Sequence, residues 1–319
     1  MGRYILRRLL ISIPTLLVIS AVLFTILALA PGDPMSQFAL NPEVPPEVRE
    51  RVKASLGLDQ PLHIRYAKWI GGIVTGDFGF SFATRGPVTD LIVQRLPNTL
   101  LVLGIAYTVS VLIAIPIGII SAVKRYSLFD YGATTLAFIG ISVPTFFTGL
   151  LLIIIFAVKL KWFPFLYDSR VVVSDLNTLG QQIRQSIMPI TVLTLFNAAQ
   201  LTRYVRAEML ENLPQDYVRT ARAKGLHERP VIARHVLRNS LIPVVTLIAL
   251  GVPTIFTGAI ITEQVFGYPG IGTLLIAAVH AGDYSLVLGI ASISILAVSV
   301  AVLLIDLLYP LLDPRVKLH

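Results

Sequence analysis

The stretch Pro97–Val123 reads PNTLLVLGIAYTVSVLIAIPIGIISAV, 27 residues without an Asp, Glu, Lys, Arg or His, closed by Arg95 before it and Lys124-Arg125 after it. A bilayer core about 30 Å thick needs roughly 20 helical residues to cross it. The pattern recurs at Leu9–Ala30, Gly132–Val158, Ser186–Thr202, Asn239–Thr262 and Tyr284–Ile305, so uncharged runs account for 139 of 319 residues. The fourth run has only 17 residues, but Tyr204 and Val205 extend it past Arg203, a side chain long enough to snorkel to the interface. Barrels need short alternating segments instead. The expected fold is therefore all-α and polytopic, with six transmembrane helices. Arg3, Arg7 and Arg8 before the first run, and Ala28-Leu29-Ala30 at its end, have the outline of a signal peptide. At 22 residues the run is too long for that, and Pro31 follows the cut point, so it reads as an uncleaved span.

Composition agrees. Apolar residues make up 55% and charged residues 14%, against about 25% charge in soluble domains. There is no cysteine, hence no disulfide framework, thiolate metal site or Cys nucleophile. The net charge of +8 is a membrane protein's loop bias, not a nucleic-acid footprint. With the N-terminus inside, the inner pieces carry 15 Lys/Arg in 63 residues and the outer pieces 11 in 114, which places both termini in the cytoplasm. The outer segment 31–96 balances seven bases with seven acids and reads as a small folded extracytoplasmic insertion. A helix start is expected at Pro45-Pro46-Glu47, and a loop or short extended piece at Gly76–Gly86. The organisation expected is a tail and first span (1–30), an insertion (31–94), a five-helix core (95–309) and a cytoplasmic tail (310–319).

Little chemistry is available inside the spans. Proton- and ion-coupled carriers keep ionisable groups near the midplane, and these spans hold none. No phosphate loop, zinc motif or nucleophile elbow occurs, so neither catalytic residues nor a cofactor or metal site is expected. What remains are neutral hydrogen-bonding residues. Thr145, Thr191, Asn197, Gln200, Thr254 and Thr257 are candidates for lining a pathway that suits a neutral or zwitterionic solute, and Thr148 belongs to the same set. Helix–helix hydrogen bonding is the simpler role for each. Pro116, Pro144, Pro189, Pro243 and Pro253, with Gly118, Gly140, Gly149, Gly251 and Gly258, predict kinks or close packing.

The loop 203–238 reads RYVRAEMLENLPQDYVRTARAKGLHERPVIARHVLR. The fourth span should continue to Leu213 and stop at Pro214. Asp216 is the expected N-cap of a short helix Tyr217–Lys224, and Gly225 its left-handed C-terminal stop. Pro230 suits the first turn of the next helix. Val218, Ala221 and Leu226 would give the short helix an apolar side, and Arg219, Arg222 and Lys224 a basic one. It is either a solvated basic loop or a docking element for a cytoplasmic partner.

Asp216-Tyr217-Val218-Arg219-Thr220-Ala221-Arg222-Ala223-Lys224-Gly225-Leu226, followed by Leu237-Arg238-Asn239-Ser240-Leu241-Ile242-Pro243, resembles the coupling loop of ABC-importer permeases of the dipeptide/oligopeptide/nickel family. Ala30-Pro31-Gly32-Asp33-Pro34, Gly76-Asp77-Phe78-Gly79-Phe80-Ser81, Arg95-Leu96-Pro97-Asn98-Thr99-Leu100 and the outer motif Glu263 with Val265-Phe266-Gly267-Tyr268-Pro269-Gly270 resemble the same family in order. The wider superfamily has Glu-Ala-Ala where Arg219-Thr220-Ala221 stands, and Gly282-Asp283-Tyr284-Ser285 replaces a frequent Arg-Asp-Tyr-Pro.

The resemblance implies a type I importer permease fold in a prokaryotic plasma membrane, without enzymatic activity of its own. It implies a sister permease, two ABC ATPase subunits carrying ATP and Mg, and an extracytoplasmic solute-binding protein. Residues 216–226 would couple to the ATPases, with Gly225 setting the loop geometry. Glu263, Phe266, Pro269 and Asp283 would form an outer gate or binding-protein contact. Short peptides lead as the solute, with nickel chelates, glutathione or oligosaccharides as alternatives in the same class. A stand-alone channel or secondary carrier, or a membrane scaffold, is the reading from other classes.

Overall fold

The computed structural model describes residues 2–29, 57–81, 83–171, 173–256 and 259–312, with 45, 47, 50, 53 and 54 as single positions. The motif at 30–34, Pro46 of the expected helix start at 45–47, Phe82, Thr257, Gly258 and the end of the tail lie outside the described residues. The chain is helical, as expected. It divides into two compact units, Met1–Pro97 with Gly270–Leu304, and Asn98–Pro269 with Ile305–Leu318.

Among the described residues, four helices are long and apolar enough to cross a membrane: Leu10–Leu29, Val88–Val123, Glu228–Phe256 and Tyr284–Ile305. Two broken pairs, Leu128–Ser142 with Thr145–Lys159 and Ile260–Phe266 with Ile271–His280, raise the number to six if each pair makes one span.

In the first unit, α1 (Gly2–Leu29) carries an apolar surface, with Val18, Val22, Ile26 and Leu29 exposed as lipid-facing residues are. Helix α2 (Leu62–Thr75) stops at Gly76, φ +82°. A two-residue hairpin, β1 (Phe80–Ser81) and β2 (Gly86–Pro87), pairs Phe80 with Pro87 and Ser81 with Gly86, in the stretch expected to be a loop or extended piece. It feeds α3 (Val88–Val123), whose first residues join α11 (Ile271–His280) and α12 (Tyr284–Leu312) around a core of Val88, Ile92, Ile271, Leu286 and Ile290. A Cβ on Gly289 would stand 2.3 Å from Val88 Cγ1, so glycine here leaves room for the Val88 side chain.

The second unit departs from the expected spans in a physically clear way. The third run is not one helix. It divides into α4 (Leu128–Ser142) and α5 (Thr145–Leu152, continued by a π-helical segment Ile153–Lys159), bent by 102°. Pro144 pushes Val143 to φ −85°, ψ 122°, out of the helical region. The fifth run divides too: α9 (Leu237–Gly251) passes into a 3-10 turn, Val252–Phe256, before α10 (Ile260–Phe266). By contrast α3 runs through Pro116, α6 (Leu176–Asn212) through Pro189 and α9 through Pro243.

Helix α6 contains the marginal fourth run and packs against α4, α5, α9 and α10. Its buried Gln182, Gln185, Ser186, Thr194 and Thr202 explain the weak hydropathy, because the face packed on neighbouring helices meets protein rather than lipid. A capping box starts it: Asp175 accepts the Thr178 N–H at 2.7 Å, and Thr178 Oγ1 accepts the Asp175 N–H at 3.0 Å. The Thr178 N–H, with its hydroxyl, holds the Asp175 carboxyl below the ordinary range.

Candidate functional site

The loop after α6 is built as a clamp. Helix α6 ends at Asn212, with Leu213 as its cap, where the sequence placed the stop. Helix α7 runs Asp216–Ala223, one residue earlier than expected. Gln215, not Asp216, is its N-cap, and no side chain accepts there. Tyr217 OH donates to Asn212 Oδ1 at 2.6 Å and ties the helix back across the Pro214 turn. At the far end the Gly225 N–H donates to the Arg222 carbonyl at 2.9 Å, and Gly225 takes φ +78° as required. A one-turn helix α8 (Glu228–Pro230) and a π-helical segment Val231–Val236 then lead into α9.

Val218 and Ala221 turn inward. With Val205 and Met209 of α6, Ala114 and Ala122 of α3, and Val231, Val236 and Val244 they form one buried cluster. Leu226, expected on that apolar side, is 44% exposed, because the chain has already turned at Gly225. Arg219, Thr220, Arg222, Ala223 and Lys224 are exposed as well. Arg222 pairs with Glu228 at 2.7 Å, and that bond raises the Arg222 pKa. Arg219 reaches Asp216 only at 3.5 Å, with both side chains in solvent, an arrangement of little energetic weight. The result is a short helix seated by two small apolar side chains and presenting a basic outer face.

Sequence reading missed the strongest polar contact beside this clamp. Asp130, in the first turn of α4, is 2% exposed. Its carboxylate accepts from Arg206 Nε at 2.6 Å and Nη2 at 2.8 Å, from the Tyr126 N–H at 2.9 Å, and from Ser121 Oγ. This bidentate pair joins the α3–α4 turn to the last turns of α6. The sequence held half the signal: Ser127-x-x-Asp130 is a capping pattern, and Ser127 Oγ does accept the Asp130 N–H at 3.2 Å. Arg206 is 76 residues away, beyond the reach of any local pattern. Arg203, expected to snorkel, lays its guanidinium 4.3 Å over the Phe138 ring.

The pathway candidates do not form one stripe. On α6, Thr191 and Gln200 are nine residues apart, about 180° around the helix, so they cannot share a face, whereas Asn197 and Gln200 can. Thr191 donates to the Ile187 carbonyl at 2.7 Å and Thr254 to the Gly251 carbonyl at 2.6 Å. Thr145 is half-buried at the start of α5.

The outer motif residues are internal ties. Glu263 and Phe266 are each 3% exposed and Asp283 is 5% exposed, so they offer little surface to a docking protein; Pro269 is half-buried. In the second unit Thr99 donates to Glu263 Oε1 at 2.9 Å, Asn98 Nδ2 to the Pro269 carbonyl at 3.0 Å, and Tyr268 stacks edge-on to Tyr167 at 4.8 Å. In the first unit Asp283 Oδ1 caps α12 by accepting the Leu286 N–H at 3.0 Å. Its other oxygen accepts from Ser81 Oγ at 2.5 Å, which pins the hairpin.

The chain thus combines helices long and apolar enough to cross a membrane with a small clamped helix seated between two of its longer ones, an arrangement that suits a membrane component of a larger machine. Residues 114–318 match the family described as binding-protein-dependent transport system inner membrane component, and residues 1–103 match the N-terminal region of such components. The chain belongs to this family: it is a non-catalytic, multi-pass inner membrane permease component. It is 42% identical to the oligopeptide transport system permease protein AppB of Bacillus subtilis (strain 168), covering 99% of this chain and all of that one. It is 38% identical to the dipeptide transport system permease protein DppB of Escherichia coli (strain K12), over 99% of each. A crystal structure of an amino acid ABC transporter with histidines shares the fold at TM-score 0.53 and 16% identity, over 69% of this chain and 94% of that one.

Proposed function

We propose that this chain is one of two permease subunits of an ATP-driven importer for di- and oligopeptides, receiving its solute from an extracytoplasmic binding protein. The relatives named for oligopeptide and dipeptide transport support the solute class. The observation that carries the coupling role is the seat of α7. Val218 is fully buried and Ala221 nearly so, while the residues from Arg222 to Pro230 are exposed. A partner gripping that face would move α6 and α9 with it, because α7 shares their buried cluster. On this reading two ATPase subunits, with their ATP and Mg, dock on residues 216–226, and both termini face the cytoplasm. The neutral side chains Asn197 and Gln200, on one face of α6, are retained as pathway candidates. A shift between access states from 1:99 to 99:1 takes about 5.5 kcal/mol, which nucleotide and binding-protein contacts would supply.

The test is reconstitution of the complete importer in proteoliposomes with labelled di- and tripeptides. Uptake is expected only with the binding protein and hydrolysable ATP inside. Peptide uptake by this chain without an ATPase, or no peptide uptake by the full assembly, would overturn the proposal.

A further inference from the structure

The first unit holds a cavity of about 240 Å³ that none of the transport roles above uses. Arg65, Lys68, Trp69 and Gly72 of α2 contribute one face of a helix to it, at i, i+3, i+4 and i+7. Phe24 of α1 and Tyr284, the first residue of α12, close it. The Arg65 guanidinium carbon lies 5.8 Å from the ring centroids of both Phe24 and Tyr284.

Three polar atoms in this neighbourhood are buried and have no hydrogen-bond partner among the described residues: Arg65 Nε, Tyr284 OH and Gln60 Oε1. Gln60 belongs to the same patch, since a Cβ on Gly57 would stand 3.6 Å from Arg65 Cγ and 3.7 Å from Gln60 Oε1. A buried donor left without a partner is costly to the folded state. Three together call for an occupant that brings both acceptors and a donor.

We infer that this cavity binds the head group of a glycerophospholipid, with the phosphodiester on Arg65 and Lys68. Three features select that class. The charged side chains lining it are Arg65, Lys68 and Asp77, a net +1 that balances a phosphodiester monoanion. Arg65 Nε and Tyr284 OH donate to phosphate oxygens, while Gln60 Oε1 and Asp77 accept from a head-group hydroxyl or ammonium. The cavity also lies where two membrane-spanning helices, α1 and α12, end and begin. Along α1, on the face of Phe24, come Leu17 and Ile13, seven and eleven residues earlier, 46% and 56% exposed. An acyl chain anchored by its head group would cover that track, and a hydrophilic peptide would gain nothing from it. Tyr66 and Trp69 beside the cavity are residues that favour the head-group level.

The experiment uses the complete importer in vesicles containing a photoactivatable phosphatidylglycerol, with labelled sites read by mass spectrometry. Wild type is expected to label within 57–79 and 284–288. Arg65→Gln and Lys68→Gln should each lower labelling there about fivefold, the effect of one basic charge at an anionic head group, and together more. Lys68 is exposed, so its variant folds whatever happens at Arg65. Arg65→Lys should retain part of the labelling. Unchanged labelling in the double variant overturns the inference. So does displacement of the probe by 10 mM (an assay choice on the order of a saturating competitor) inorganic phosphate, which would make the site one for a soluble anion. Displacement by di- or tripeptide would make it a solute site and overturns the inference equally. Peptide uptake is read in the same vesicles, so failure of the lipid site and failure of the peptide reading are distinguishable.

Discussion

Replacing Gly225 isolates one physical variable. The residue stands at φ +78°, and an added Cβ would meet no atom within 4 Å. A substitution there cannot clash, so its whole effect is the cost of holding an L-residue in the left-handed region. That cost is about 1–2 kcal/mol for an ordinary side chain, less for Asn, and highest for a β-branched one. One to two kcal/mol corresponds to about a 5- to 30-fold loss in the population of the capped conformer. The hydrogen bonds at risk are Gly225 N–H to the Arg222 carbonyl at 2.9 Å and Leu226 N–H to the Ala221 carbonyl at 3.4 Å. They close the end of α7, so its exposed face should lose definition while Val218 stays buried. The expected order of coupling is Gly above Asn, then Ala, then Val. The assay is peptide taken up per ATP hydrolysed by the reconstituted importer, with thermal stability as control. Stability should fall by no more than that strain, because the end of α7 can open locally while Val218 stays buried. A Val variant that couples like wild type, or an Asn variant as damaged as Val, would refute the reasoning.

Arg206→Ala should destabilise the purified assembly by about 3 kcal/mol, the low end for removing one partner of a buried pair, since the Arg206 side chain is 24% exposed while the Asp130 side chain is 3% exposed. Thermal unfolding checks this, and Arg206→Lys should recover part of the loss by restoring the charge without the bidentate fork. Gly118→Ala should cost about 1–3 kcal/mol by overpacking, because its Cβ would stand 2.7 Å from Val205 Cβ and 2.9 Å from the Thr202 carbonyl. Gly104→Ala, on the same helix with nothing within 4 Å, is the control and should be neutral or slightly stabilising.

The parts legible in sequence were those governed by local rules. Runs free of charge marked the apolar segments, Pro214 and Gly225 marked the ends of elements, and Gly76–Gly86 marked a loop that forms a hairpin. Prolines were read less well, because a proline's effect depends on what can satisfy the carbonyl it frees. Pro144 breaks its helix and Pro116 does not, although both sit in equally apolar runs. The outer motif was recognisable but its role was not. Glu263 and Asp283 look like surface acids in sequence, and only their partners Thr99 and Ser81, 164 and 202 residues away, reveal them as internal ties. Leu226 failed for a local reason: a left-handed residue at 225 turns the chain, so the helical period no longer applies beyond it.

Asp130–Arg206 and the α7 clamp make one mechanical unit on the proposed reading. Arg206 sits one residue after Val205 and three before Met209, and both of those side chains pack in the cluster that buries Val218 and Ala221. A displacement of α7 therefore loads the last turns of α6, and the guanidinium fork carries part of that load to the α3–α4 turn. Apolar packing alone would allow α6 to slide, since dispersion contacts are non-directional. A bidentate ion pair fixes angle as well as distance. Losing the fork should then lower uptake per ATP hydrolysed even in a variant that retains its fold, the outcome expected for Arg206→Lys. If that variant kept wild-type coupling despite a single-pronged contact, Asp130–Arg206 would be a stability device and no part of the transmission.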